Sequence, residues 1–313
     1  MQSRFLTDND SIIINKSTIS NKFNEFFVNI GPNLASKIPS QSIHPLSYLG
    51  KENENCMSIS PVTVKEFDDI VISLKKCAPG YDEINKDILD LSLPRLRNVI
   101  LYLINLSLMQ GIFPDELKIA NVIPLFKADD SMKFNNYRPV SLLTIFSKLF
   151  EKAMNNRLID FLETFKILYK KQFGFRKDHS THMAHMILVD NLIKAMENGD
   201  YVLEVFLDFS KAFDTVNHTI LLSKLHHYGI RGVAYKWFES YLQNRQQFVT
   251  YNDATSSFKC MKCGVPQGSI SGPILFLIYI NDLAVICKKK NITFSFCRQH
   301  KFIHHRKKSS NLM

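Results

Sequence analysis

Acidic residues run out early in this chain: of its 29 Asp and Glu over 313 residues, none follows Asp282. Eight of the 39 Lys and Arg lie between Lys288 and Met313, so residues 1–287 carry 31 basic against 29 acidic side chains. The net charge of +10 therefore belongs to the end of the chain, and it does not support binding of a polyanion by the body. A basic run without acids reads first as a solvated tail. Regular cysteine spacing is missing too: six Cys with no framework fit a reduced, intracellular protein. Cys260-Met-Lys-Cys263 has half of a zinc site's spacing but no second pair at finger spacing, and His179, His182 and His185 read as one helix face, so no structural metal is expected. Long apolar runs are absent: Pro273–Ile280 and Val99–Ile104 fall well short of the ~20 residues a membrane helix needs, and no signal peptide opens the chain. What remains, 45% hydrophobic and 22% charged, is a globular composition with enough apolar residues for a large core and two subdomains.

Periodicity divides the chain. Aromatics at helical spacing mark Ile19–Ile30, which Gly31-Pro32 is expected to stop, and residues 41–60 read as a linker. Helical patterns cover Thr63–Leu74, Leu93–Met109 and Ile145–Phe165. Ala120–Phe126 reads as a short β segment interrupted by Pro124. Tyr201–Leu207 is a buried strand running into Asp208; helical spacing resumes around Leu221–Leu225 and Ala234–Leu242. A strand pair is expected around Asn252-Asp253, and a helix over Pro273–Leu283.

The segment Val205-Phe-Leu-Asp208-Phe-Ser-Lys-Ala-Phe213-Asp214 carries the strongest chemical signal, because it sets a carboxylate at the end of an apolar strand, where a hard divalent cation could bind. Taken alone, Asp208 reads better as a helix N-cap. Gly264-Val-Pro-Gln267-Gly-Ser is a loop with two glycines and a proline before a helix, so its backbone and the Gln267 amide can approach a ligand closely; the plain alternative is a strand-to-helix turn. Lys127 and Arg138, taken singly, read as solvated charges, and Phe213 as a core aromatic.

Read together, Lys76-Cys-Ala-Pro79-Gly80-Tyr-Asp82, Pro124-Leu-Phe126-Lys127, Asn136-Tyr-Arg138-Pro-Val-Ser-Leu-Leu, Gln172-Phe-Gly-Phe175-Arg176, the Asp208 segment and the Gln267 loop reverse those readings. In that order they resemble the reverse transcriptases of LINE-like, non-LTR retrotransposons of the Jockey type, over roughly two thirds of the chain. Two departures stand out: Cys77-Ala78 where the family has Ser, and Ser271 where it usually has Leu. The resemblance implies an α+β right-hand polymerase, with an N-terminal helical extension and linker over 1–60, fingers over 61–200, a partial palm over 201–292, a basic tail over 293–313 and no thumb. It implies RNA-templated DNA synthesis with Mg²⁺, an RNA template, a DNA primer and deoxynucleoside triphosphates as partners, and an intracellular, nuclear site of action. By the same resemblance Asp208 is the catalytic carboxylate and a metal ligand, and the Phe209 carbonyl is a second ligand. Lys127, Arg138, Phe213 and Gln267 bind the nucleotide, Phe213 as a bulky gate beneath the sugar, and Phe175 and Arg176 contact the template. Asp214 matches the family's Ala-Phe-Asp signature without a metal role.

The family's second acidic motif, Phe-Ala-Asp-Asp, is expected on a hairpin soon after Asp282, which itself reads as a capping or surface residue, and this chain has Phe294-Ser-Phe296-Cys-Arg-Gln-His300 there. Shifted forward by one base, codons for Phe296–His300 can spell Phe-Ala-Asp-Asn-Thr, which points to a frameshift between Thr293 and Phe296. The chain reads as an excerpt at both ends, inactive as written. The alternative is a non-catalytic remnant that binds RNA or primer-template, and a third reading is an unstable relic with an exposed sheet edge where the hairpin is lost. Sequencing genomic and transcript DNA across codons 283–313 should show a one-base shift relative to a Phe-Ala-Asp frame; an intact in-frame transcript encoding the same tail contradicts it.

Overall fold

In a computed structural model the chain is described over residues 6–8, 11–39, 45–283, 292–296 and 301–307, with strands 6–8, 201–207, 292–296 and 301–307 as backbone only. In chain order the elements are β1 (Leu6–Asp8), β2 (Ser11–Ile13), α1 (Lys16–Ala35), α2 (Val64–Ser73), α3 (Lys86–Gln110), β3 (Ile119–Phe126), β4 (Tyr137–Leu142), α4 (Ile145–Thr164) and α5 (Thr181–Glu197). After them come β5 (Tyr201–Leu207), α6 (His218–His227), α7 (Gly232–Leu242), β6 (Gln246–Tyr251), β7 (Ala254–Thr255), β8 (Lys259–Cys260), α8 (Ser271–Ile280), β9 (Ile292–Phe296) and β10 (Lys301–Lys307). Helices and mixed sheets share one chain, as the patterns predict.

Local chemistry sets most boundaries. Asn15, Thr63, Asn85, Thr144, Ser180 and Asn217 each accept a backbone N–H from the first turn of the helix they precede. Gly111 ends α3 in the left-handed conformation at φ 70°. Asn252 and Asp253, both at positive φ, make the tight turn between β6 and β7. Pro124 stays inside β3 opposite Pro139 of β4, so the two residues that cannot donate face each other.

One sheet, ordered β4-β3-β6-β7 with β8 also on β6, has β3 and β6 parallel and its other pairs antiparallel. It joins residues from both sides of the expected division at 200/201. One expectation fails here. Gly31-Pro32 does not stop α1, which runs on to Ala35 with Pro32 inside. A side chain at Gly31 would collide with the Asp214 carbonyl oxygen and Cys263 Sγ, so the glycine marks a close helix approach rather than a stop. The N-terminal helix is packed against the sheet. Ile19, Phe23, Phe27 and Ile30 of α1 pack with Ala120, Val122, Tyr137, Val249 and Tyr251 as the second core of the chain. The presumed linker docks as well, Met57 N–H donating to Gly229 C=O at 2.9 Å and Asn53 Nδ2 to Tyr228 C=O at 3.0 Å.

The larger core lies among α2, α3, α4, α6, α7 and α8, around Trp237, Phe113 and Tyr241. Asp282, expected as a cap or surface residue, is instead buried and paired with Lys224 Nζ at 2.6 Å, which ties α6 to the end of α8. The third sheet is ordered β5-β10-β9, all antiparallel. β10 thus pairs with one side of β5, which stays at an end of this sheet.

Replacing Phe23, which is fully buried against Phe27, Phe134, Tyr137 and Tyr251, by Ala should cost about 3–5 kcal/mol of unfolding free energy in urea titration. A loss below ~1 kcal/mol contradicts a structural role for α1.

Candidate nucleotide site

Asp208 follows β5 directly, and no α-helix starts behind it: residues 210–215 form turns and α6 begins only at His218. The N-cap alternative therefore fails, and both Asp208 and Phe209 are exposed. The turns fold residues 213–218 against the loop at 263–269. Val265 N–H donates to Phe213 C=O and Gly264 N–H to Val216 C=O, both at 2.8 Å, and His218 Nε2 donates to Gly264 C=O at 2.7 Å. Gly264, at φ 85°, could not carry a Cβ without pressing on the Phe213–Asp214 backbone at 3.0–3.1 Å.

Gln267 then meets Asp214 rather than solvent alone, its Nε2 donating to both carboxylate oxygens at 3.1 and 3.2 Å. The same loop is fixed from its other side, where Ser141 N–H of β4 donates to Gln267 C=O at 2.8 Å and a Cβ at Gly268 would lie 2.5 Å from Ser141 C=O. Behind it, Glu151 of α4 is completely buried and accepts from the backbone N–H of Ile270 (2.6 Å) and Ser271 (2.9 Å), capping α8. Burial pushes the Glu151 carboxyl up, and the Arg245 guanidinium and these N–H groups oppose the shift. Asn155 completes the brace, donating to Ile270 C=O and accepting from Ser271 Oγ.

Phe213 is half-buried, with its ring 5.2 Å from Phe276 and edge-on to Phe175 at 6.0 Å. Phe175, predicted to contact a template, is thus part of the support beneath Phe213. Arg176 is committed as well. Its guanidinium pairs with both Glu163 oxygens (2.7 and 3.0 Å) and reaches the carbonyls of Tyr169 and Gln172, with a side chain only 10% exposed. A phosphate contact by Arg176 would require breaking that pair. Lys127 and Arg138 are exposed at the open end of the β3–β4 ladder.

Sequence reasoning passed over Lys211, Glu151 and the Asp214–Gln267 contact. A signal for Glu151 existed: Ser147, Glu151 and Asn155 recur at four-residue spacing, a polar stripe that lies among the buried residues of α4. Lys211 Nζ lies 3.5 Å from Tyr137 C=O, and its pKa is lowered, first by burial and further by Lys127 and Arg138, against the pull of Asp214. As for a metal, the donors present do not make a two-ion cluster. Among the described residues no group of three or more His, Cys, Asp or Glu side chains could hold a metal ion, and Asp214 is turned to Gln267. On the strand beside β5, the register position opposite Leu207 is Lys301, and residues 297–300 lie outside the described ones.

A strand-end carboxylate, a braced aromatic and a glycine-bounded glutamine loop, set beside a mixed sheet, define a domain of the template-directed polymerase class. The chain belongs to the reverse transcriptase (RNA-dependent DNA polymerase) family, whose sequence profile matches residues 127–305. It is 34% identical over 236 residues to a probable RNA-directed DNA polymerase from transposon BS, and 32% identical over 238 residues to the RNA-directed DNA polymerase from mobile element jockey, both of Drosophila melanogaster. A probable RNA-directed DNA polymerase from transposon X-element of the same fly is 31% identical over 232 residues. These matches cover 72%, 75% and 72% of this chain, which spans about a quarter of the length of the relatives. The family match runs through β9 and into β10, so it includes most of the segment read as off-frame.

Burial, above all, raises the Asp214 carboxyl to about 6, with Lys211 and Gln267 opposing. The folded chain then holds a proton that the unfolded chain has lost between pH ~4 and ~6, so this group's contribution to stability falls as pH rises through that window. Asp214→Asn should therefore gain on the wild type by about 2–3 kcal/mol between pH 4 and pH 7 in urea titrations at each pH. A difference independent of pH contradicts the burial of this carboxylate.

Proposed function

We infer that the chain is the nucleotide-binding part of a retrotransposon reverse transcriptase, with fingers around 61–200 and a partial palm over 201–292, and that as written it binds deoxynucleoside triphosphates without joining them. The observation that carries this reading is the lacing of residues 213–218 to 263–269, which brings Phe213 and Gln267 together beside the strand end at Asp208. Phe213 is the floor under the sugar and excludes a 2'-hydroxyl by volume. Lys127 and Arg138 receive the triphosphate, where they offset its charge. Asp208 and the Phe209 carbonyl are the surviving ligands for Mg²⁺, the kind of divalent ion that enzymes of this family use. A single carboxylate does not hold two ions against one another, and no Asp or Glu follows Asp282 to supply a second.

RNA template and DNA primer are the partners this reading implies, and nuclear action follows only from what the family does. No helix among the described residues is long and apolar enough to cross a membrane. The near-neutral body, together with the engagement of Arg176 by Glu163, weighs against the non-catalytic remnant that grips nucleic acid by charge.

With Mg²⁺ and a primed RNA template, the purified chain should incorporate no nucleotide, while equilibrium dialysis should show saturable deoxynucleotide binding that Gln267→Ala weakens several-fold. Template-directed extension, or binding indifferent to Gln267, contradicts the proposal.

A further inference from the structure

Lys211 lies between the two halves of the site. It sits in the turn after β5 at φ 53°, a left-handed conformation that costs a residue with a Cβ roughly 1 kcal/mol. That turn carries its ammonium to Tyr137 C=O, 3.5 Å away, on the strand that bears Arg138. Tyr137 closes the β3–β4 ladder opposite Phe126, and Lys127 N–H donates to Asn136 C=O just beyond it at 2.9 Å. Arg138 pairs with Leu125, and Lys127 lies two residues beyond Leu125, so period two puts both cations on the face of the hairpin opposite buried Tyr137. Lys211 thus stands at the strand that bears Arg138, within electrostatic range of both cations of the hairpin. The carboxylate that acts on Lys211, Asp214, is itself bound by Gln267. Like charges gathered this way repel unless an anion joins them.

We propose that Lys211 is a third cation of the polyphosphate subsite, binding the triphosphate tail of the nucleotide together with Lys127 and Arg138. The proposal rests on the nucleotide-binding reading above and extends it to a residue with no assigned role. The segment that carries Asp208 thereby also senses the phosphates, so occupation of the β3–β4 end and the placement of residues 208–214 are linked through one side chain.

The test is a titration of the full chain at low salt with two metal-free probes, inorganic tripolyphosphate and a single-stranded oligonucleotide, comparing wild type, Lys211→Gln, Lys211→Arg and Lys127→Ala, with Tm recorded for each. Lys211→Gln should weaken tripolyphosphate roughly tenfold at unchanged Tm, Lys211→Arg should keep most of the affinity, and added salt should narrow the gap. Equal affinity in Lys211→Gln and wild type, with Lys127→Ala weakened, overturns the role of Lys211 while leaving the nucleotide reading intact. An equal loss in Lys211→Arg and Lys211→Gln means the side chain only supports the turn, and a loss confined to the oligonucleotide means it meets nucleic acid; either result overturns the proposal. Failure of the wild type to bind tripolyphosphate defeats the nucleotide reading itself.

Discussion

Two backbone hydrogen bonds, Val265 N–H to Phe213 C=O and Gly264 N–H to Val216 C=O, join the turn after β5 to the loop before α8, and the site exists because they do. They require the chain to pass where no Cβ fits, which is why residue 264 is glycine with φ 85°. Once they form, Asp214 and Gln267 are brought within hydrogen-bond reach, Phe213 is set against Phe276, and His218 closes on the Gly264 carbonyl. Each of these side-chain contacts presupposes the backbone register. Glu151 holds the far end of the same loop by capping α8, which makes a buried carboxyl part of the scaffold rather than of the chemistry. Such a group is costly to bury and costlier to leave unpaired, so its several partners are what make it tolerable.

Much of the fold was legible. α2, α4, α7 and α8 follow apolar spacings that lie within single segments, and Asn252-Asp253 announces its turn through the rarity of positive φ outside such residues. The failures share a cause. Gly31-Pro32 reads as a stop because sequence shows the loss of a side chain and an N–H, but not the Asp214 carbonyl that needs the room. β4 escapes notice because its strand character depends on pairing with β3 across two prolines. Asp282 looks like a surface acid until Lys224, 58 positions earlier in the chain, supplies its counter-charge.

The site divides in the same way. Asp208, Phe213 and Gln267 were picked out by the resemblance of their own motifs, and the structure laces the segments of the last two together. Contacts with distant partners were not legible: Arg176 is held by Glu163, and Lys211 stands at the strand bearing Arg138. In the acid-free end β9 and β10 pair beside β5, although the acids expected on that hairpin are missing.

The most direct measurement is a crystal structure of the chain with a bound deoxynucleoside triphosphate. The account predicts the sugar over Phe213, the Gln267 amide beside it and the triphosphate at the β3–β4 end among Lys127, Arg138 and Lys211. A nucleotide bound elsewhere, or density that leaves residues 264–268 and 213–216 unlaced, would contradict it.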